Sequence, residues 1–388
     1  MVQRCDALVV GGGPGGSSCA WRLREAGLDV IVVDAATFPR DKVCAGWITP
    51  QVVSALRLDT LAYATGRTWQ PFTGFRVGLI ESEVEVRVDY SEPISFGIRR
   101  CEFDHYLLRR SGAHLSLGMP VSSIRREHQD WVVNETFRAP LLVGAGGSNC
   151  PVARLLGATL RSRAHVVARE AEWPVDLPVG VDAAVPELFF CGDLEGYGWC
   201  VRKGDFLNVG LGRLDPHRLP AAAHGFVSFL ERRGKLVRPP SHWRGHAYAV
   251  SACPDRVVDD GVLLVGDAAG VADSQSGEGI RQAVESGLLA AQTIVEARGD
   301  SSRSRLEPYA QRLRARLLRT PFSNALGRFI PRQVKTSAAA RLLGTAPFVR
   351  HVVLDRWFLH RYELALNATV QVTLPTDFAG GYPAGLVE

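Results

Sequence analysis

The chain has no uncharged apolar run approaching the roughly 18 residues that a membrane-spanning helix requires. Among its eight cysteines there is no C-x-x-C pair and no neighbouring histidine at metal-ligand spacing. Transmembrane, zinc-site and disulfide-scaffold readings are thereby excluded, and most of the thiols read as small hydrophobes. Internal repeats and long low-complexity tracts are also lacking, and no recognised nucleic-acid motif accompanies the basic residues, so nucleic acid is not an expected partner. The first structured segment begins near Val2, which leaves no room for a signal peptide and predicts a cytoplasmic protein.

What is present is 388 residues with 46% hydrophobic and 22% charged side chains, enough for one large or two ordinary domains with real cores. The net charge of +5 conceals an asymmetry. Between Arg298 and Arg361 stand 14 Arg or Lys against three acids, Asp300, Glu307 and Asp355. A basic C-terminal region of this kind suits a solvated helical surface, and it equally suits peripheral contact with anionic lipid, an acidic carrier protein or a phosphorylated substrate.

The first 34 residues spell strand, glycine turn, helix, strand and acid. An apolar run from Ala7 to Val10 leads into Gly11-x-Gly13-x-x-Gly16, and a second run from Val30 to Val33 delivers Asp34. Gly11 permits the tight turn, Gly13 lets the backbone approach a pyrophosphate, and Gly16 lets the helix lie close on the strand. The helix N-terminus then faces the anion, with Pro14 and Gly15 in its first turn, and Asp34 is placed to take ribose hydroxyls.

Further along, segments of this kind alternate with segments of strand-like alternation, so two domains are interleaved. Val84, Val86 and Val88 against Glu83, Glu85 and Arg87 have the period of a half-buried strand. Arg99 to Ala113 reads as helix, Leu141-Leu142-Val143 as a buried strand, and Val262 to Val265 as another that stops at Gly266-Asp267. Gly279 to Ala297 forms a helix with Ile280, Ala283, Val284, Gly287, Leu288, Ala291 and Ile294 on one side. The expected class is mixed α/β. A Rossmann-like dinucleotide-binding domain comprises residues 1–70, 99–160 and 245–297, and an antiparallel-sheet substrate domain comprises 71–98 and 161–244. A mainly helical basic region, 298–388, is expected as a cap across the sheet domain, with Leu306, Leu313, Leu317 and Leu318 on one amphipathic element.

Four signals occur in order: the opening motif; Lys42-Val43-Cys44-Ala45-Gly46; Tyr197-Gly198-Trp199 running on to Asn208-Val209-Gly210-Leu211-Gly212; and Gly266-Asp267-Ala268-Ala269-Gly270 followed by Gly277-Glu278-Gly279-Ile280. Together they resemble the FAD-dependent oxidoreductases of the p-hydroxybenzoate hydroxylase fold, and within them the geranylgeranyl reductase family. The resemblance implies FAD held by Gly11, Gly13, Pro14, Gly15, Gly16, Asp34, Arg40, Lys42, Arg100, Gly266, Asp267, Gly277, Gly279 and Ile280. Asp267 would accept from the ribityl chain, and the helix opened by Gly279 would favour negative charge on the reduced ring. Arg100 has a competing reading as a surface ion pair. Cys44 would lie near flavin and substrate, shaping the pocket or donating a proton, or else be a buried structural thiol. Tyr197 and Trp199 alternate along a strand and would form an aromatic wall or simply pack in the core. His246 and Tyr248 are weaker candidates for the cavity lining.

Departures from the family are Ala45 in place of a glycine and Ser274 in place of a proline, both expected close to the ring, and Gly146 where related hydroxylases carry an aspartate. The Trp-x-Trp-x-Ile-Pro pattern of halogenases is missing. The implied reaction is reduction of a carbon double bond in a large apolar or aromatic substrate by hydride from N5 of reduced flavin. Monooxygenation through oxygen trapped at C4a is the alternative, and a non-catalytic lipid- or prenyl-binding protein is a reading from another class. Without a second glycine fingerprint, NAD(P)H would visit a surface groove, or a reduced protein would supply the electrons.

Overall fold

The computed structural model describes residues 2–158, 165–175, 180–237, 242–250, 253–318 and 332–366. The two apolar runs of the opening motif are adjacent parallel strands, Ala7–Val10 and Val30–Asp34, with Leu8 paired to Ile31. They sit inside a six-stranded sheet. Leu141–Gly144 and Val262–Leu264 extend it in parallel on one side and His114–Leu117 on the other, and Val258–Asp259 closes it as an antiparallel edge. Because the four central strands are covered on both faces, they read as continuous apolar runs and not as alternations.

Two helices position everything functional on this sheet. The opening helix, Pro14–Glu25, begins directly after the glycine turn, and the long helix, Ile280–Glu296, packs along it. Small residues make that contact close. A methyl group on Gly287 would collide with the Gly15 carbonyl oxygen across the two helices, and one on Gly16 with that of Gly11 in the glycine turn.

The second sheet has seven strands in the order Arg244–Ala249, His165–Pro174, Phe206–Arg213, Gly196–Lys203, Glu187–Phe190, Gly74–Leu79 and Glu85–Asp89. It is antiparallel except where Glu187–Phe190 runs parallel to Gly74–Leu79. One face packs on the helix Leu219–Arg232 through Phe226, Phe229 and Leu230. The other carries Phe75, Val77, Leu188, Trp199 and Val201. The alternation of Val86 and Val88 is that of a half-buried strand, but Val84 is 54% exposed, because the strand begins only at Glu85.

Two placements differ from the sequence reading. Residues 245–249, expected with the nucleotide unit, form the edge strand beside His165–Pro174, because Ala247 and Ala249 pair with Val167 and His165. The basic region does not behave as one cap. The helix Arg303–Leu317 buries Leu306, Tyr309 and Leu313 in the core of the six-stranded sheet, and the Tyr309 hydroxyl donates to the Leu264 carbonyl at 2.6 Å. Among the described residues of this region, it is the later part, with Leu343 and the π-helix Val349–Phe358, that covers the seven-stranded sheet. Residues 367–388, part of the same expected region, lie outside the described residues.

Candidate active site

Between the two sheets lies a cavity of about 590 Å³. At one end it is lined by Gly11, Gly13, Pro14, Gly15 and Asp34, and further on by Arg40, Lys42, Cys44 and Arg100. Gly266 and Asp267 continue the lining, and at the other end stand Gly277, Gly279 and Ile280, with Tyr197 and Trp199. Of the cofactor and catalytic residues expected from sequence, only Gly16 does not face it; its place beneath Gly11 is a packing role.

Both helices present bare N-termini to this space. Neither Pro14–Glu25 nor Ile280–Glu296 has a side-chain cap or an acid in its first turn. Their unpaired N–H groups and dipole ends are therefore left for an external anionic or polar partner. Asp34 is fixed by accepting from the Gly12 N–H at 2.7 Å and the Ala36 N–H at 2.8 Å.

A basic cluster borders the middle of the cavity. Lys42 Nζ lies 2.6 Å from His246 Nε2, and that nitrogen lies 3.9 Å from Asp267 Oδ2. Burial, with Arg100 and Arg40 adding to it against the pull of Asp267, pushes the Lys42 ammonium down to about 8. Burial acts to raise the Asp267 carboxyl, but the neighbouring His246 imidazole and the Lys42 charge outweigh it and hold the group below the ordinary carboxylate range. Arg100 lines the cavity and makes a bidentate pair with Asp104, both bonds 2.8 Å, and this pair is buried, not the surface pair of the competing reading.

The loop carrying Cys44 is fastened to the seven-stranded sheet from below. The Cys44 N–H donates to Glu170 at 2.7 Å, Asn208 donates to the Cys44 carbonyl at 3.3 Å, and buried Lys203 donates to the Ala45 carbonyl at 3.1 Å. Burial pushes the Glu170 carboxyl up to about 7, against the charge of Lys203 and the Cys44 N–H. Trp199 joins the same network through its indole N–H, 2.7 Å from Asn208 Oδ1. Gly210 on the neighbouring strand makes room, since a methyl group there would overlap the indole. The Tyr197 hydroxyl donates to the Ser276 carbonyl and so ties the sheet to the Gly277 turn. Burial, with Tyr248 beside it, raises this phenol far above its ordinary value, so it stays protonated.

A sequence profile of FAD dependent oxidoreductases matches residues 6–80. Digeranylgeranylglycerophospholipid reductase of Methanothrix thermoacetophila is 30% identical over 336 residues, covering 80% of this chain and 83% of that protein. The chain belongs to the geranylgeranyl reductase family of FAD-dependent oxidoreductases. Menaquinone reductase of Mycobacterium tuberculosis is also 30% identical, over 322 residues, covering 74% of this chain and 76% of that one. Among solved structures, a geranylgeranyl bacteriochlorophyll reductase-like protein from Thermoplasma acidophilum superposes with a TM-score of 0.72 at 21% identity, covering 89% of each chain. A flavin-dependent brominase gives 0.65 at 18%, covering 93% of this chain and all of its own. At these identities the two structures establish a shared fold.

For a geranylgeranyl reductase family member, the cavity's two bare helix ends and central basic cluster fit FAD. Gly13 to Gly15 would take the pyrophosphate, Asp34 the adenosine ribose and Asp267 the ribityl chain. Gly277 to Ile280 would take the ring. Two expectations about the ring environment divide. Ala45 lines the cavity, whereas Ser274 is exposed in the turn and its neighbour Ser276 lines the cavity instead.

The lining also includes residues that carry no sequence signal. Trp47 and Phe358 stand at the ring end with Tyr197 and Trp199, and Ala168 lies beside them. Arg154 and Asn149 border the cavity elsewhere. His246 and Tyr248, the weaker candidates, both line it and stack with centroids 6.0 Å apart.

The basic helix Arg303–Leu317 spends its charge internally. Arg316 holds Glu285 at 2.8 Å, Arg312 holds Glu296 at 2.6 Å, and Arg314 donates to the Asp255 carbonyl at 2.9 Å. The cationic face expected of it for an anionic partner is thus largely a set of struts to the body of the protein. No helix among the described residues is long and apolar enough to cross a membrane.

Proposed function

We propose that this enzyme reduces a carbon–carbon double bond in a large apolar substrate of the isoprenoid or isoprenoid-quinone class. The carrying observation is the aromatic chamber at the ring end of the cavity, where Trp47, Tyr197, Trp199 and Phe358 meet, with Cys44 on the loop beneath them. Apolar walls with a few placed polar groups select a hydrocarbon and orient it. The activities named for the two 30% identical relatives support the same class.

Bound FAD, once reduced, supplies the hydride. The chain's own residues do the rest. Gly277 to Ile280 and the start of the long helix stabilise negative charge near the ring. Tyr197 and Trp199 would hold the substrate's double bond beside the ring, and Cys44 Sγ would supply the proton for the second carbon. The network of Glu170, Asn208 and Lys203 keeps the Cys44 loop in register. Electrons come from NAD(P)H visiting transiently or from a reduced protein. The enzyme works in the cytoplasm, meeting membranes peripherally through exposed Arg341, Leu342 and Arg356.

Oxygen insertion is the rival reading. Reducing the flavoprotein anaerobically and adding polyprenyl diphosphates, polyprenyl glycerophospholipids and menaquinone distinguishes the two. A saturated product formed without air is expected. Product that forms only in air and carries oxygen-18 from labelled gas would sink the reductase reading.

A further inference from the structure

The last residue of the π-helix Val349–Phe358 lies on the cavity wall. Phe358 is 1% exposed and lines the cavity. Its ring stands edge-on to Tyr197, centroids 5.2 Å apart, and lies 6.3 Å from Trp47 and 6.4 Å from Phe190. The same ring belongs to the apolar layer between the π-helix and the sheet, with Val349, Val353 and Leu354. Phe358 therefore stands between the substrate chamber and a body of hydrocarbon side chains.

The segment just beyond Phe358 is fastened to the flavin turn. His360 Nε2 lies 3.1 Å from Glu278 Oε2, and its Nδ1 lies 3.2 Å from Glu363 Oε1. Glu363 pairs in turn with Arg281 on the long helix, and the His360 carbonyl accepts from Gln51 at 3.3 Å. The ring is held from both sides of the chain, by the π-helix before it and by this cluster after it.

We propose that Phe358 is the end wall that sets the longest apolar chain the enzyme accepts, with His360 as the positioning residue that holds the wall through Glu278. This rests on the reading of the chamber as a site for a hydrocarbon chain. A longer chain must leave methylenes in water or displace a buried ring packed on three other rings. One methylene in an apolar pocket discriminates by about 10- to 200-fold.

The test is calorimetric titration of the FAD-loaded protein with saturated primary alcohols of increasing length. In the parent protein, affinity is expected to climb with length and then stop climbing at a definite length. Phe358→Ala and Phe358→Leu move that break to longer alcohols, with a gain of about tenfold or more for the longest, and Phe358→Trp moves it to shorter ones. His360→Gln blurs the break. Phe358→Leu and Phe358→Trp carry the test alone if the alanine variant does not fold, with retained flavin absorbance as the check. A break at one length in all variants, or equal weakening at every length, overturns the proposal, and an unchanged break in His360→Gln overturns the part assigned to His360. Saturated alcohols cannot be reduced, so a moved break without turnover of any unsaturated substrate would sink the proposed reaction and leave the wall standing.

Discussion

Gly287, in the middle of the long helix, lies directly on the backbone of Gly15, in the first turn of the opening helix. The two nucleotide motifs are far apart in sequence, and this contact makes them one site. Because the helices touch backbone to backbone, their bare N-termini reach the same cavity, one beside Gly13 and the other at Gly279.

Gly287→Ala is expected to separate the helices and lower cofactor retention at least severalfold, read as flavin absorbance per protein after gel filtration. Overpacking a tight core contact costs about 1–3 kcal/mol. Gly225→Ala is the control, since a methyl group there meets nothing within 4 Å and glycine in a helix interior is about 1 kcal/mol worse than alanine. Equal flavin content in both variants would remove the contact from the account of binding.

The parts of the site legible in sequence are those whose job is local. Gly11, Gly13 and Asp34 announce themselves because a turn, a close approach and a strand-end acid must occur within one short unit. Tyr197 and Trp199 are legible from period-two alternation along Gly196–Lys203. Phe358 and Trp47 are not, because their place in the chamber depends on how distant elements pack, and a buried aromatic in a helical run looks the same in any core. The basic helix misleads for a related reason. Counting charges along the chain does not reveal that Glu285 and Glu296, on the neighbouring helix, meet Arg316 and Arg312.

Trp199→Phe keeps most of the apolar wall but removes the indole N–H that satisfies Asn208 Oδ1. Leaving that buried acceptor unpaired is expected to cost about 1–3 kcal/mol. The loss should show as a lower denaturant midpoint with an unchanged slope. An unchanged midpoint would mean that Asn208 finds another donor and that the network under Cys44 tolerates rearrangement.

The affinity for FAD should depend on pH through Lys42. Its ammonium is pushed down to about 8 by burial, and an anionic ligand beside it raises that value again, so binding takes up a proton. Affinity is then level below about 8 and falls above it, by up to about tenfold per pH unit. Lys42→Met should bind more weakly at neutral pH and lose this alkaline fall. Fluorescence titration across the range tests both, and a fall that survives in the variant assigns it to another group.

His360 makes stability depend on pH in a definite window. Burial works against its charge, but the carboxylates of Glu278 and Glu363 beside it outweigh burial and the opposing charge of Arg281, raising the imidazolium to about 9 from an ordinary 6.5. The folded state thus binds this proton more tightly than the unfolded chain does. Its contribution is fully present below about 6.5 and is lost as pH rises through about 9, a difference of roughly 3 kcal/mol over the window. His360→Gln should be less stable than the parent at about pH 6, and the difference should shrink as the pH is taken above about 9. Glu278→Gln should flatten the same slope in part by removing one of the two carboxylates. Denaturation midpoints measured across that range decide it, and parallel curves for parent and His360→Gln would show that the proton at this site is not linked to folding.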